Sequence, residues 1–263
     1  IQYGDCETAG TRYYRNSLKK LDDCVADLNQ EQVQFTINLG DLVDRSFADL
    51  DPIISRLNKL NGKVYNTTGN HDYHGVTDNN VLYKKLGMPA EYYSFKKNGW
   101  LFIILNTNEV SSYTNVKGTE KEQELNAMLD HIKASGRKNA QPWNGGISKK
   151  QMEWLKKELN KAEKKDENVL IFSHHPLYPE FGLSALNDKQ ITDLIGEYTC
   201  VRAMFAGHHH SGKFGYFKQI PSTTVEGMIE TENQNSYGII EIYKNKIVLN
   251  GKGRMKSREF MYY

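Results

Sequence analysis

The chain has 263 residues, of which 38% are hydrophobic and 25% are charged. This balance is typical of a globular protein with a substantial core, and the length fits one large domain or two small ones. Lys and Arg exceed Asp and Glu by only two, 34 against 32, so the charge gives no indication of binding to nucleic acid or to an anionic membrane. The sequence contains no apolar run of about 18 residues, and we therefore predict no transmembrane helix.

In the first half of the chain, predicted helices and strands alternate. Helices are predicted from the helical spacing of apolar residues and from a proline at a helix start. Strands are predicted from short hydrophobic runs. In chain order, the elements are a helix with Leu18, Leu21, Val25 and Leu28 on one stripe, a strand at 35–40, a helix after Pro52, a strand at 63–69 and a helix at 79–86. Asn98-Gly99 then joins two β-rich stretches, which is a strong signal for a hairpin.

The second half begins with an irregular polar stretch at 108–146, in which a helix is predicted at 119–134. We interpret this stretch as an insertion over the rim of a single domain that spans 1–263. A helix N-capped by Ser148 restores regular structure. The remaining predicted elements are a strand at 168–175, a helix at 188–198, a strand at 201–210 and a closing strand pair at 237–251.

The order of the predicted elements indicates the fold class. Strands and helices alternate early, and paired strands dominate late, which indicates an α+β domain with two packed sheets and helices on the outside. A purely parallel, doubly wound sheet would lack both the Asn-Gly hairpin and the closing strand pair.

Three cysteines, Cys6, Cys24 and Cys200, are widely spaced and include no CxxC pair. Disulfide-stabilised domains have dense and even-numbered cysteines, whereas sparse cysteines are typical of a reducing compartment. We therefore expect three unpaired thiols and a cytoplasmic location. The sequence leaves the oligomeric state open.

Four segments share one pattern, in which a hydrophobic strand ends and polar side chains follow at once. They are INLGDLVDR (37–45), YNTTGNHDY (65–73), LIFSHHP (170–176) and MFAGHHHSG (204–212), and the last three contain six of the eight histidines. Loops at the carboxyl ends of neighbouring strands converge on one rim. We therefore expect these polar side chains to lie close together.

The residue types in these segments indicate a metal site. Carboxylate, amide oxygen and imidazole suit a divalent ion such as Mn, Fe or Zn, and the lack of thiolates disfavours a structural zinc site. Gly40, Gly69 and Gly207 each precede a candidate ligand, where a backbone that turns sharply off a strand needs freedom in φ. Each residue alone has an ordinary structural explanation, as a turn, a cap or a hydrogen-bonded core residue. Their combination favours a metal site.

The motifs GD, GNHD, HHP and GHHH, in this order, resemble those of the calcineurin-like metallophosphoesterase superfamily. The resemblance implies a metallophosphoesterase-like α+β fold, a four-layer αββα sandwich of two mixed β-sheets flanked by helices. It also implies two metal ions bridged by one carboxylate and a hydroxide. The implied ligands are Asp41 as the bridge, Asn70, His174 and His208 for one ion, and His210 for the other.

The resemblance assigns roles to two further residues, His71 and Asp72. His71 is the implied catalytic imidazole, and Asp72 is its implied orienting partner. His175 and His209 are predicted not to be ligands, because neighbouring side chains at a strand end point apart. His209 also stands where an acidic residue is expected between the two ligand histidines.

Longer sequence segments resemble those of the manganese-dependent ADP-ribose/CDP-alcohol diphosphatase branch of this superfamily. They are GTRYYRNSLKKL, NGGISKKQMEWLKKEL, VEGMIET and GKGR. In this branch the first motif is Asp-Ile-Gln-Tyr, so the opening IQY resembles that motif without its Asp. Gln2 is then implied as a metal ligand through its amide oxygen.

The resemblance implies hydrolysis of the phosphoanhydride in nucleoside diphosphate derivatives. ADP-ribose would yield AMP and ribose 5-phosphate, and CDP-alcohols such as CDP-choline would yield CMP and a phosphoalcohol. The implied cofactors are two divalent ions, Mn first and Fe or Zn as alternatives. The implied substrate is a small-molecule nucleotide, and we expect neither nucleic acid nor a membrane as a partner.

Several polar residues near the motifs are candidates for substrate contacts. Arg12 is the first candidate for gripping the non-scissile phosphate, since arginine binds phosphate in a fork geometry. A surface role on the first helix is its alternative, and Arg45 is as well explained by a pair with Asp44. Trp143 and Asn144 are candidates for a wall of the base pocket, with packing at the rim as the alternative for Trp143.

Two other functions stay open at this point. The same pair of metal ions serves phosphomonoesterases and cyclic-nucleotide phosphodiesterases. A metal-binding scaffold without catalysis is the other alternative, and the His71–Asp72 pair argues against it because a scaffold has no need of that pair.

Overall fold

The computed structural model describes residues 1–262. Its helices are α1 (Asn16–Gln30), α2 (Leu50–Leu57), α3 (Asn79–Lys85), α4 (Glu120–Ala134), α5 (Lys149–Glu163) and α6 (Asp188–Ile195). Its strands are β1 (Phe35–Asn38), β2 (Lys63–Asn66), β3 (Tyr93–Lys97), β4 (Trp100–Ile104), β5 (Asn168–Ser173), β6 (Val201–Ala206), β7 (Ser211–Phe217), β8 (Ile220–Glu226), β9 (Ser236–Ile242), β10 (Lys246–Gly253) and β11 (Arg258–Met261). Every predicted helix is present, whereas β7, β8 and β11 were not predicted.

The strands form a six-stranded, a three-stranded and a two-stranded sheet. The large sheet has the order β3-β4-β5-β6-β8-β7, with parallel pairing from β4 to β8 and antiparallel pairing at both edges. The two-stranded sheet pairs β1 with β2 in parallel, and the antiparallel sheet has the order β11-β10-β9. The predicted hairpin joins β3 to β4, and both Asn98 and Gly99 have a positive φ, as a tight hairpin turn requires.

One face of the large sheet packs against both smaller sheets. Phe102, Phe172 and Phe205 of the large sheet belong to one apolar cluster with residues of the other two. The ring centroid of Phe35 in β1 lies 5.0 Å from that of Phe102, and the centroids of Phe205 and Phe260 in β11 are 6.4 Å apart. The two smaller sheets therefore form a single layer of strands on this face.

Helices cover the outside of both strand layers. α5 and α6 pack on the other face of the large sheet, where Leu155 and Ile191 share an apolar cluster with Ile171. α1 and α2 place Leu21 and Ile53 in the cluster that contains the smaller sheets. The layers therefore follow the predicted αββα order, with hydrogen bonding dividing one strand layer into two sheets.

Two further properties concern the whole described chain. Within residues 1–262, no helix combines the length and the apolar character needed to cross a bilayer. All three cysteines are free thiols, two of them buried.

The stretch 108–146 extends away from the core, and its two ends lie next to each other. An antiparallel bridge joins Val110 to Gly146, so its two ends meet. Between them, α4 buries Leu125 and Ile132 in a small apolar cluster of its own. The stretch therefore has a local core beside the end of β4.

The buried carboxylate of Glu109 fastens the start of this stretch. Glu109 accepts hydrogen bonds from Ser148 Oγ at 2.8 Å and from Gln151 Nε2 at 2.6 Å, and Lys121 Nζ lies 3.1 Å away. We expect Glu109→Ala to lower the free energy of unfolding by about 3 kcal/mol, because buried donors and a half-buried ammonium lose their acceptor. Urea denaturation of both proteins measures this difference.

Glu153→Ala is the matched control, since this carboxylate lies on the exposed side of α5. Its free energy of unfolding is expected to stay within about 0.5 kcal/mol of the parent protein. Equal losses in both variants would contradict a specific role for the Glu109 network.

Candidate metal centre

Polar loops from both strand layers meet at one edge of the sandwich. Asp41 follows β1, Asn70 follows β2, His174 follows β5 and His208 follows β6. β1 pairs in parallel with β2, and β5 pairs in parallel with β6, so each pair brings its loops to the same end. The stacked layers then bring the two pairs of loops together.

Four side chains from these loops point to a common centre. His174 Nε2 lies 3.2 Å from Asn70 Oδ1, 3.1 Å from His208 Nδ1 and 3.5 Å from Asp41 Oδ2. Atoms that bind one ion at about 2.1 Å in tetrahedral or octahedral geometry are about 3 to 3.5 Å apart. The four side chains therefore have the spacing of ligands around a single ion.

Hydrogen bonds fix the tautomers of the two imidazoles. His174 Nδ1 donates to Leu39 O at 2.7 Å, and His208 Nε2 donates to Asn144 Oδ1 at 3.1 Å. His174 Nε2 and His208 Nδ1 then both carry lone pairs, and two neutral acceptors cannot hydrogen-bond to each other. A cation between them removes this repulsion, so the donor set fits a metal ion.

Burial keeps these two rings in the form that binds metal. It lowers the pKa of His174 and, with help from neighbouring imidazoles, lowers the pKa of His208 well below its usual value. Both imidazoles are therefore neutral near pH 7, and neutral imidazole is the metal-binding form.

Three of the predicted ligands have a left-handed backbone. Gln2, Asp41 and His208 have φ angles of 59°, 53° and 64°. This conformation costs about 1 to 3 kcal/mol for a non-glycine residue and concentrates at functional sites. The strain here coincides with the predicted ligands, which favours a functional origin.

Two glycines allow the loops after β1 and β2 to touch. A Cβ on Gly69 would lie 2.1 Å from Asp41 Oδ1, and a Cβ on Gly40 would lie 2.3 Å from Gly69 N. Gly40 has a φ of +88°, as the prediction of backbone freedom requires, whereas Gly69 and Gly207 have no positive φ. At Gly69 the reason for glycine is therefore the close approach of two loops.

Asp72 holds these two loops together. Its fully buried carboxylate accepts four backbone hydrogen bonds of 2.8 to 3.2 Å, from the amides of Asp41, Leu42, Val43 and Gly69. The prediction that Asp72 orients His71 is wrong, because the His71 ring donates to Asp44 and the Asp72 carboxylate binds backbone amides. Asp72 instead sets the position of the loop that carries Asp41.

Asp44 takes the place beside His71. His71 Nδ1 lies 2.9 Å from Asp44 O and 3.3 Å from Asp44 Oδ1, so the ring donates to this residue. The Asp44 side chain is 4% exposed and also accepts from Gln2 Nε2 and from Arg45 Nε, each at 2.7 Å. Arg45 therefore pairs with Asp44, as the structural alternative for this arginine predicts.

Gln2 presents a buried amide oxygen without a partner. Its Nε2 donates to Asp44 Oδ1 and lies 3.3 Å from His71 Nε2, and the residue is 1% exposed. No described residue donates a hydrogen bond to its Oε1. An unsatisfied buried carbonyl costs about 1 to 3 kcal/mol, so this oxygen fits a cation as the prediction for Gln2 requires.

His210 has a carboxylate partner that the sequence did not indicate. His210 lines the same cavity as Asp41 and His208, and its Nδ1 donates to Glu230 Oε1 at 2.8 Å. This hydrogen bond leaves Nε2 free for a metal, as in many metal-binding histidines. The hydrogen bonds from His210 and Thr11 lower the pKa of Glu230 to about 2 against the effect of burial, so the carboxylate is ionised.

His175 and His209 have other contacts. His175 lies beside His174 and His208, but its Nδ1 is 3.0 Å from Thr107 Oγ1 and its Nε2 is 3.1 Å from Trp143 O. Both ring nitrogens are therefore engaged. The His209 ring packs against Phe181, with centroids 5.0 Å apart.

A cationic cavity of about 360 Å³ adjoins His71. Its lining residues are Arg12, Tyr14, Asp44, Arg45, His71 and His74. Arg12 has a side chain 40% exposed, and its Nε lies 3.7 Å from Glu230 Oε1. The two arginines suit an anion. The larger cavity of about 720 Å³, which Asp41, His208 and His210 line at one part, extends between α1, β1 and β9 and has mostly apolar walls.

The fold and the donor set together define a metal-dependent phosphoesterase. Oxygen and nitrogen donors meet at the strand ends of an αββα sandwich, beside a cationic cavity. The chain belongs to the calcineurin-like phosphoesterase family, whose model matches residues 3–212.

Similar proteins are found in animals and plants. A manganese-dependent ADP-ribose/CDP-alcohol diphosphatase from Homo sapiens is 28% identical over 313 residues, covering 100% of this chain and 90% of the relative. A protein of the same name from Arabidopsis thaliana is 28% identical over 295 residues, covering 99% of this chain and 94% of the relative. Among solved structures, a dimetal phosphatase from Danio rerio is 25% identical with a TM-score of 0.90, covering 100% of this chain and 96% of the other.

Proposed function

We propose that this protein hydrolyses the phosphoanhydride bond of nucleoside diphosphate derivatives. ADP-ribose would yield AMP and ribose 5-phosphate, and CDP-alcohols would yield CMP and a phosphoalcohol. The observation that carries the proposal is the cationic cavity beside His71, which lies close to the cluster of metal donors. It offers room for a second phosphate, which a phosphomonoester lacks, and beyond the Arg45–Asp44 pair it offers the charge of Arg12. The names of the similar proteins support the same substrate class.

Two divalent ions, Mn first and Fe or Zn as alternatives, are the proposed cofactors. The first ion would be held by Gln2, Asp41 and His210, and the second by Asp41, Asn70, His174 and His208. When bound, these ions activate water and neutralise charge on the phosphoryl oxygens. The unpartnered Gln2 Oε1 and the facing lone pairs of His174 and His208 support this assignment.

The side chains around the ions have distinct proposed roles. His71, held by Asp44 at Nδ1, would turn Nε2 toward a phosphoryl oxygen of the substrate. Asp72 would keep Asp41 in place through the backbone. Arg12 would grip the non-scissile phosphate, and its exposure at the cavity supports this role.

A substrate panel tests the proposal. CDP-choline, ADP-ribose, cAMP and p-nitrophenyl phosphate are compared at the same enzyme and Mn concentrations, and the two diphosphates are expected to have the highest kcat/KM. Turnover of p-nitrophenyl phosphate alone would favour a phosphomonoesterase, and turnover of cAMP alone would favour a cyclic-nucleotide phosphodiesterase.

An Arg12→Ala variant tests the contact with the second phosphate. The KM for ADP-ribose is expected to rise about tenfold, because a charge-assisted hydrogen bond worth about 1.5 kcal/mol is lost. The inhibition constant of AMP, which has one phosphate, is expected to change less than about twofold. Equal changes for both ligands would contradict the assignment of Arg12 to the second phosphate.

We also propose that residues 1–263 form one domain, with 108–146 as an insertion. The bridge between Val110 and Gly146 supports the insertion, since it closes the stretch at its base.

A cytoplasmic location is proposed as well, supported by the three free cysteines. The backbone carbonyl of Trp143 lies 3.1 Å from His175 Nε2. Its indole belongs to a residue that is 44% exposed, and we propose it as a wall of the base pocket.

A further inference from the structure

One carboxylate outside the predicted site touches two parts of it. The Glu230 side chain is 12% exposed and lies in the segment between β8 and β9. Its Oε1 accepts from His210 Nδ1 at 2.8 Å, and its Oε2 accepts from Thr11 Oγ1. Arg12 Nε lies 3.7 Å from Oε1. The same carboxylate therefore contacts a predicted metal ligand, the loop before α1 and the predicted phosphate-binding arginine.

The backbone around this carboxylate is held firmly against the loop before α1. Two backbone hydrogen bonds and an antiparallel bridge join the segments 11–13 and 229–231. The buried ammonium of Lys20 donates to the carbonyl oxygens of Met228 and Thr231. The two segments therefore form one unit, in which the carboxylate has a fixed position.

We propose that Glu230 is a positioning residue for two parts of the site. It positions His210 for the first metal ion and Arg12 for the non-scissile phosphate. One of its oxygens orients His210 with Nε2 toward the ion. The charge of the same carboxylate holds Arg12 at the mouth of the cationic cavity. This inference rests on the proposed function, because it takes His210 as a ligand and Arg12 as a phosphate-binding residue.

Two physical effects give Glu230 this role. A carboxylate that accepts from a metal-binding imidazole fixes the tautomer and raises the basicity of the other nitrogen. An arginine that is already held in place loses less conformational freedom when it meets phosphate. Because one side chain supplies both effects, its removal should weaken metal binding and substrate binding together.

The test uses Glu230→Ala and Glu230→Gln in the full chain. Mn binding to metal-free protein is measured by titration calorimetry, without substrate, and one of two sites is expected to weaken about 10- to 100-fold in the alanine variant. The KM for ADP-ribose is expected to rise about fivefold, while the inhibition constant of AMP at saturating Mn changes less than about twofold.

The glutamine variant separates the two effects. Its amide oxygen still accepts from His210, so Mn affinity is expected to return to within about threefold of the parent protein. The charge beside Arg12 is lost, so the raised KM for ADP-ribose is expected to persist. Such partial rescue distinguishes positioning from a general loss of structure.

Glu232→Gln is the matched control, because this exposed carboxylate lies two residues away on the same segment. Both Mn affinity and KM are expected to match the parent protein. Unchanged Mn affinity in Glu230→Ala would overturn the inference, as would equal shifts for ADP-ribose and AMP. Failure of the proposed function is distinguishable, because it would appear as lack of ADP-ribose turnover in the parent protein, and calorimetry would still report the metal effect.

Discussion

Asp41→Asn is expected to lose hydrolytic activity by about a thousandfold, together with at least one of its bound metal ions. Among the proposed ligands, Asp41 brings a carboxylate, whereas the others bring amide oxygens and imidazole nitrogens. As the proposed bridging ligand, Asp41 would bring its negative charge to both ions. Removal of this charge is expected to raise the barrier by about 4 kcal/mol, the scale of charge stabilisation that a metal ion supplies in hydrolysis.

Asparagine is the informative replacement because it keeps the local structure. Asp41 Oδ1 accepts the backbone N–H of His71 at 3.0 Å, and an amide oxygen can accept the same hydrogen bond. The loop is also held by Asp72 through its backbone, which the substitution leaves intact. A change in activity can therefore be assigned to the lost charge.

Two measurements check this prediction. The metal content is measured by mass spectrometry after gel filtration in Mn, and the rate is measured with ADP-ribose. Asp130→Asn is the matched control, since Asp130 lies on the exposed side of α4. Full metal content with normal activity in Asp41→Asn would show that Asp41 is not the bridging ligand.

The location of the site was predictable from local sequence patterns. In each of the four motifs, a hydrophobic run marks a strand and the polar residue that follows marks its carboxyl end. Parallel pairing then brings such ends together, and in the structure Asn70 and His174 meet at 3.2 Å although 104 residues separate them. The pattern needed no knowledge of the loops themselves.

The partners of these residues were not predictable in the same way. His71 and Asp72 are neighbours in sequence, but their side chains have different surroundings, and Asp44 reaches the imidazole instead. Glu230 lies 20 residues after His210 and contacts it only because of the tertiary fold. Spacing along the chain carries no information about such contacts.

The hairpin of β7 and β8 shows a different limit. Its strands contain Gly212, Gly215 and Pro221, residues that are depleted in strands. Pro221 lies near the start of β8, where a missing N–H is tolerated, and six residue pairs of the hairpin are in register. Pairing with β6 on the large sheet overrides the weak local propensity.

His71→Ala is expected to lower kcat by about 100- to 1,000-fold, the scale of a lost catalytic imidazole, and to leave the metal content unchanged. The ring is not among the proposed ligands, because its Nδ1 donates to Asp44 O. Its Nε2 lies 3.3 Å from the amide nitrogen of Gln2, whereas the proposed donor atom of Gln2 is its oxygen. Single-turnover rates with ADP-ribose and metal analysis of the same sample check both parts.

The combination of these two results has the greatest value, because it separates catalysis from metal binding. His131→Ala is the control for loss of an imidazole, since His131 lies exposed on α4. A scaffold that only binds metal would lose nothing in the His71 variant, so equal rates would favour the non-catalytic alternative. A large loss of rate with full metal content would instead mean that His71 acts on the substrate, from the position in which Asp44 holds its ring.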